Sequence, residues 1–208
     1  MSKTSGLKLG NLLIGAITLA LSVILITGCS STGRPTIQQL SKLPEKGVCR
    51  VAVLPFANES EYPLGGLIFY RIFMAEMIAS GHFDVAQEGD IMEIYQQIRL
   101  LPGQLPQIEQ VKILGNRLGV DVVIEGTVVQ MEERRLMSGM NPSVTVMIRI
   151  LDAGTGKTIW GTYHRRRGED FRTVMHFGMV NTITDLATKM SKEIIQSWKQ
   201  KGLNGCES

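Results

Sequence analysis

Residues 144–167 read VTVMIRILDAGTGKTIWGTYHRRR, and the fold class turns on how this stretch is parsed. Val144, Val146, Ile148 and Ile150 alternate with Thr145, Met147, Arg149 and Leu151. That period of two marks a strand with one well-buried face. Asp152-Ala153-Gly154-Thr155-Gly156 has turn chemistry, and Lys157 to Arg167 returns as a second strand. The run Gly154-Thr155-Gly156-Lys157-Thr158 invites comparison with a phosphate-binding loop. Such a loop needs a glycine where Leu151 stands and a helix after the lysine, whereas Thr158-Ile159-Trp160 continues as strand. The stretch is a β-hairpin.

Upstream, Val120 to Met131 reads as a long strand. Val48 to Leu54, a β-branched run stopped by Pro55, reads as another. Between them lie an apolar helix over Leu67–Ser80 ended by Gly81, a short strand at Phe83–Ala86, a helix from Asp90 to Leu101, and a third helix that opens at Pro106 and stops at Gly119. Downstream, Met179, Ile183, Leu186, Ala187, Met190, Ile194 and Trp198 form one helical stripe. The predicted order is β-α-β-α-α-β-β-β-α, an α/β (α+β) domain with helices packed on a mixed β-sheet. No internal repeat is visible. The domain is expected to span 48–201, with a C-terminal tail at 202–208.

The amino terminus is an address. Lys3 and Lys8 precede fifteen uncharged residues, Leu12–Ile26, which end in Ile26-Thr27-Gly28-Cys29. The run is short of the ~20 residues that span a bilayer. Its end resembles a bacterial lipobox, which implies a diacylglycerol thioether on Cys29, cleavage after Gly28 and acylation of the new amine, palmitate included. Ser30 rather than Asp at the next position implies, by the lipoprotein sorting pattern, the outer membrane with the domain facing the periplasm. Residues 1–28 are then the signal peptide, and 29–47, polar and rich in Pro and Gly, a lipidated tether.

The 208 residues are 44% hydrophobic and 20% charged, with 22 Lys and Arg against 19 Asp and Glu. This is globular composition. A charge of +3, lowered to +1 once the two lysines of the leader are removed, is too balanced for a nucleic-acid binder. Three Cys give no disulfide framework, and no Cys-x-x-Cys or His-x-x-x-His spacing suggests a metal or cofactor. His82, His164 and His176 fall in different predicted elements with no assignable nucleophile. No catalytic residue is nominated, and an enzyme is not expected.

The remaining candidates each carry two readings. Trp160 shares a strand face with Thr158, Thr162 and His164, so it either lies beneath a helix or, in a lipid-tethered protein, sits at the membrane interface. The helix Leu67–Ser80 is apolar all round. Either another helix covers it, or a second subunit does, with Phe69 and Phe73 as anchors. Arg165-Arg166-Arg167 is a solvated strand end or a contact to head groups or a neighbouring subunit. Glu132 and Glu133 form a polar loop entrance, or line a pore if copies assemble around an axis. Cys49 and Cys206 remain in an oxidising compartment, where an even pair often closes into a disulfide.

VAVLPFANES at 51–60, LGVDVVIEGTV at 118–128 and VTVMIRILDAGTGKTIW at 144–160 together resemble the CsgG-type superfamily, whose fold is shared with the TolB N-terminal domain. The resemblance covers about residues 48–198. Within that superfamily, size, lipobox and a single compact domain agree best with the Pel polysaccharide export lipoproteins of the PelC type. It implies a homo-oligomeric ring that assists exopolysaccharide export in biofilm formation together with an outer-membrane porin. The superfamily also holds lipoprotein regulators of a peptidoglycan synthase and CsgG-like secretion components, which are the alternative roles.

Overall fold

The computed structural model describes residues 33–44, 47–136, 139–173, 177–203 and 205. Cys29, His176 and Cys206 lie outside the described residues. Among these residues the chain forms β1 (Thr36–Gln39), β2 (Arg50–Val53), β3 (Ala57–Asn58), α1 (Gly65–Ala79), β4 (Asp84–Val85), α2 (Glu88–Gln97), α3 (Ile108–Leu118), β5 (Val122–Leu136), β6 (Gly139–Asp152), β7 (Thr158–Arg167), a 3₁₀ turn (Gly168–Phe171) and α4 (Ile183–Gln200). The strands make one mixed sheet in the order β1-β7-β6-β5-β2-β4, with β3 pairing beside β5. The β4, β2, β5 and β3 pairings are parallel; β5, β6, β7 and β1 meet antiparallel.

Period-two alternation sorts the sheet into two apolar faces. Val51, Val53, Val122, Ile124, Val144, Val146, Ile148 and Ile150 join α1 and α4 in the larger core. Ala52, Leu54, Val123 and Leu151 join α2 and α3 in a smaller core on the opposite face. The stripe predicted for α4 is observed: Ile183, Leu186, Ala187, Met190, Ile194 and Trp198 are all buried. Thr182 caps this helix, its Oγ1 accepting from the Asp185 amide at 3.1 Å, which satisfies one of the free donors of the first turn. At the β6–β7 turn, Asp152 Oδ1 accepts from both the amide and the hydroxyl of Thr155, each at 2.7 Å. Gly156 closes the turn at φ 70°, which glycine adopts at little cost. It is the hairpin turn predicted above.

Several expectations are corrected. Part of the expected tether is built into the sheet: Thr36–Gln39 pairs antiparallel with β7, from Thr36↔Tyr163 to Gln39↔Trp160. The folded unit therefore begins at Gly33. The tail is not free from 202 onward, because Leu203 is fully buried in the larger core. Most of the apolar residues of helix α1 are covered by this chain itself, while Ile78 is left exposed. Phe69 and Phe73 are fully buried; Phe69 stacks with Phe56, Phe73 packs tilted against it, and Phe73 meets the Trp198 ring edge-on at 5.7 Å. They are core residues and cannot anchor a second subunit. Trp160 is 1% exposed, so it does not face a membrane. Its strand face lies beneath α4, the other reading open to it.

Candidate functional site

Two polar constellations are built by the fold, one on each face of the sheet. The first is a cleft of about 250 Å³ over β5 and β6, lined by Glu59, Leu105, Glu125, Gly126, Thr127, Met147 and Arg149. Glu125 and Arg149 stand directly opposite each other on β5 and β6 and form an ion pair, the carboxylate buried and the guanidinium half-exposed. Burial outweighs the guanidinium and holds the Glu125 carboxyl above the usual carboxylate range. Burial also pushes up the nearby phenol of Tyr95, with the Tyr70 and Glu125 charges adding to it. Gly126 is required here, since a Cβ would come within 2.6 Å of the Phe56 ring.

The second constellation joins β7 to α4. His164 and Arg166, both buried, point inward from β7. His164 Nε2 donates to Glu193 Oε2 at 2.7 Å, and Arg166 donates through Nε to Oε2 at 3.0 Å and through Nη2 to Oε1 at 2.6 Å. Burial acts to raise the Glu193 carboxyl, but the bonds and charges of His164 and Arg166 together exceed it, so the group sits below its ordinary value. One strand-step further along β7, Trp198 Nε1 donates to Thr162 Oγ1 at 2.8 Å in the interior. Arg165 and Arg167 point to solvent, so the arginine run is split, with its middle member buried. His82 is elsewhere, hydrogen-bonded to Lys199 beside a groove of about 480 Å³ between α1 and α4.

The strands β5 and β6 run on past the sheet as a hairpin, paired from Glu132↔Ser143 to Leu136↔Gly139. Glu132 accepts from Gln130 and Arg134 and is half-buried, while Glu133 is exposed. The two acids are therefore unequal, one neutralised and one free to act on solvent. Cys49 is disulfide-bonded; Cys206, its expected partner, lies outside the described residues. Among the described residues no three His, Cys, Asp or Glu are grouped to hold a metal, and no helix is long and apolar enough to cross a membrane.

The signal for the buried triad was present in the sequence. The alternation Trp160, Thr162, His164 continues to Arg166, and Glu193 interrupts the inner side of the α4 stripe. The Glu125–Arg149 pair follows from register, which sequence alone did not supply.

No protein-family model matches this sequence, and no curated protein matches it. Solved structures do. PelC from Paraburkholderia phytofirmans, a dodecamer, superposes with a TM-score of 0.54 and 19% identity over 83% of this chain and 99% of that one. A variant of that dodecamer gives 0.52 and 21% over 77% and 95%. The lipoprotein GNA1162 from Neisseria meningitidis gives 0.52 and 17% over 73% of this chain and 99% of that one. The chain has the fold of PelC and of lipoprotein GNA1162.

Proposed function

We propose that this chain is an outer-membrane lipoprotein, held by acylated Cys29 and facing the periplasm, that assembles into a homo-oligomeric ring and assists exopolysaccharide export beside an outer-membrane porin. We assign it no catalytic activity. The observation that carries this reading is the conjunction of a lipobox-like end at Cys29 with a domain that matches PelC along nearly that protein's whole length. PelC is described as a dodecamer and GNA1162 as a lipoprotein, which supports the ring and the anchor. The early start of the sheet supports a role close to the membrane. With the folded unit beginning at Gly33, only residues 30–32 separate it from Cys29, a span of at most about 14 Å. A regulator that must cross the peptidoglycan layer needs more. In a ring, each exposed Glu133 repeats around the axis and forms an acidic collar that attracts cationic polymer at low salt.

Four measurements test the proposal. Intact mass of membrane-extracted protein should show loss of residues 1–28 and added lipid, and a Cys29→Ser variant should leave the outer-membrane fraction. Light scattering on the lipid-free protein, with and without lipid, should give a multiple of the chain mass. A monomer under both conditions ends the ring and favours the regulatory role. Deletion of the gene should abolish surface polymer if the export role holds.

A further inference from the structure

We infer that the cleft over β5 and β6 binds a primary ammonium group carried on a short aliphatic chain, which donates to the unsatisfied oxygen of Glu125 while Arg149 keeps the other. One chain builds the whole cleft, so the site stands apart from anchoring, assembly and export.

Two carboxyl groups of this chain set the comparison. The Glu193 side chain is 26% exposed, and two side chains, His164 and Arg166, satisfy both its oxygens. The Glu125 side chain is only 3% exposed, yet a single cation serves it. Arg149 Nη2 meets Oε1 from the facing position on β6, and Oε2 has no hydrogen-bond partner among the described residues. A buried acceptor left unpaired carries the full cost of its lost hydration. The difference shows in the acidities: Glu193 is held below its ordinary value and Glu125 above it. Glu125 lacks one donor, and it lines a cleft that can admit one.

The rest of the lining selects what carries that donor. Glu59 and Glu125 stand against the single guanidinium of Arg149, so a monocation balances the site. Leu105, from the α2–α3 connection, and Met147, from β6, are 40% and 53% exposed and offer apolar walls to a row of methylenes. Thr127 is half-buried and adds a hydroxyl acceptor. An ammonium group has three N–H donors, enough for Oε2, Glu59 and Thr127. A divalent metal ion fits less well. Among the described residues no three His, Cys, Asp or Glu are grouped to hold one, and it would be repelled by Arg149. The volume of about 250 Å³ suits a short alkylamine: at about 30 Å³ for each non-hydrogen atom, the share of a water molecule in the liquid, pentylamine takes about 180 Å³.

Pentylamine is the probe, titrated calorimetrically at pH 7 into the purified full chain in non-ionic detergent. Pentanol has the same chain without the charge, and pentyltrimethylammonium has the charge without an N–H. The expected result is a dissociation constant on the order of 1 millimolar for the amine, in keeping with so small a ligand. Either comparison compound should bind at least about tenfold more weakly, the scale of a hydrogen bond to a charged group. Glu125→Gln should weaken the amine by a similar factor. Leu105→Trp, which narrows the cleft from an exposed wall, should weaken it as well, and Glu109→Gln on α3 should not. NMR of isotope-labelled glutamate carboxyls supplies a readout that a merely structural Glu125 would not move: its titration midpoint should fall when amine saturates the site. Cadaverine and an acetylated lysine methylamide distinguish a free diamine from a protein lysine, and the tighter of the two names the source. None of these readouts needs acylation or a ring, so failure of the lipoprotein reading leaves them intact. Absence of binding at about ten times the expected constant, equal binding of pentanol or pentyltrimethylammonium, unaltered affinity in Glu125→Gln, or an unmoved Glu125 midpoint would each overturn the inference.

Discussion

Glu193 on α4 receives His164 and Arg166 from one strand, with Oε2 2.7 Å from His164 Nε2 and Oε1 2.6 Å from Arg166 Nη2. The three side chains fasten the last helix to the antiparallel half of the sheet. Their geometry satisfies both Glu193 oxygens, so the pair is directional as well as charged.

Removing that charge should loosen α4. Glu193→Gln keeps shape but leaves the Arg166 guanidinium buried without a counter-ion. The cost is expected to be about 2–3 kcal/mol, below the usual figure for breaking a buried pair because the Glu193 side chain is 26% exposed. Urea titration checks it: the midpoint should fall with an unchanged slope. A midpoint equal to wild type would show that the triad adds nothing to stability.

The carboxyls of Glu193 and Glu125 should respond to pH with opposite sign. Glu193 is depressed in the fold, so its contribution is present above the unfolded carboxyl pKa, about 4.3, and is lost as pH falls through the folded value. Glu125 is raised. Its contribution is present below the unfolded pKa and is lost as pH rises through the folded value. Glu193→Gln should therefore flatten the acid side of the stability profile. Glu125→Gln should recover stability toward neutral pH and change little at pH 4, because the half-exposed Arg149 remains hydrated when its partner becomes neutral. Urea midpoints measured from pH 3 to 8 distinguish the variants, and parallel profiles would contradict both assignments.

How much of this was legible beforehand depends on which force set each feature. The alternation of Val144, Val146, Ile148 and Ile150 and the stripe ending at Trp198 are written in side-chain polarity, and both are found as read. Strand β1 is not written there. TIQQ carries no apolar alternation, since an edge strand is held by backbone bonds to β7, to which any sequence without proline at the paired positions has access. Phe69 and Phe73 show the converse limit. Their apolarity was visible, but whether α4 or another subunit covers them is a tertiary fact. Arg166 was masked by its neighbours, because three consecutive arginines look uniformly solvated until the period of two is carried through them.

Close packing between α3 and the β6–β7 turn depends on Gly115. A Cβ there would lie 2.6 Å from Ala153 Cβ and 2.7 Å from the Ala153 carbonyl oxygen. Gly115→Ala gains helix propensity of up to ~1 kcal/mol yet must push the helix off a backbone contact, and overpacking of this kind costs about 1–3 kcal/mol. The net expectation is a lower thermal midpoint. Gly89, with open space around its Cβ position in α2, supplies the contrast: Gly89→Ala should raise the midpoint. A Gly115→Ala protein as stable as Gly89→Ala would mean that α3 shifts freely on the sheet.

The last prediction separates a core residue from an interface residue in α1. Phe73 is fully buried against Phe56 and Trp198, whereas Ile78, five positions along the same helix, is 59% exposed. Truncating a buried Phe costs about 3–5 kcal/mol, and Phe73→Asp adds a desolvated carboxylate among aromatic rings. Against a total stability of about 5–15 kcal/mol, that variant should lose its cooperative fold, not merely its partners. Ile78→Asp should fold with wild-type circular dichroism, since exposed substitutions fall within about 0.5 kcal/mol. Size exclusion and near-ultraviolet dichroism decide between the two possibilities. A Phe73→Asp protein that stays folded and runs as a monomer would restore α1 as a subunit interface, and a disrupted Ile78→Asp protein would show that the exposed side of α1 is also in use.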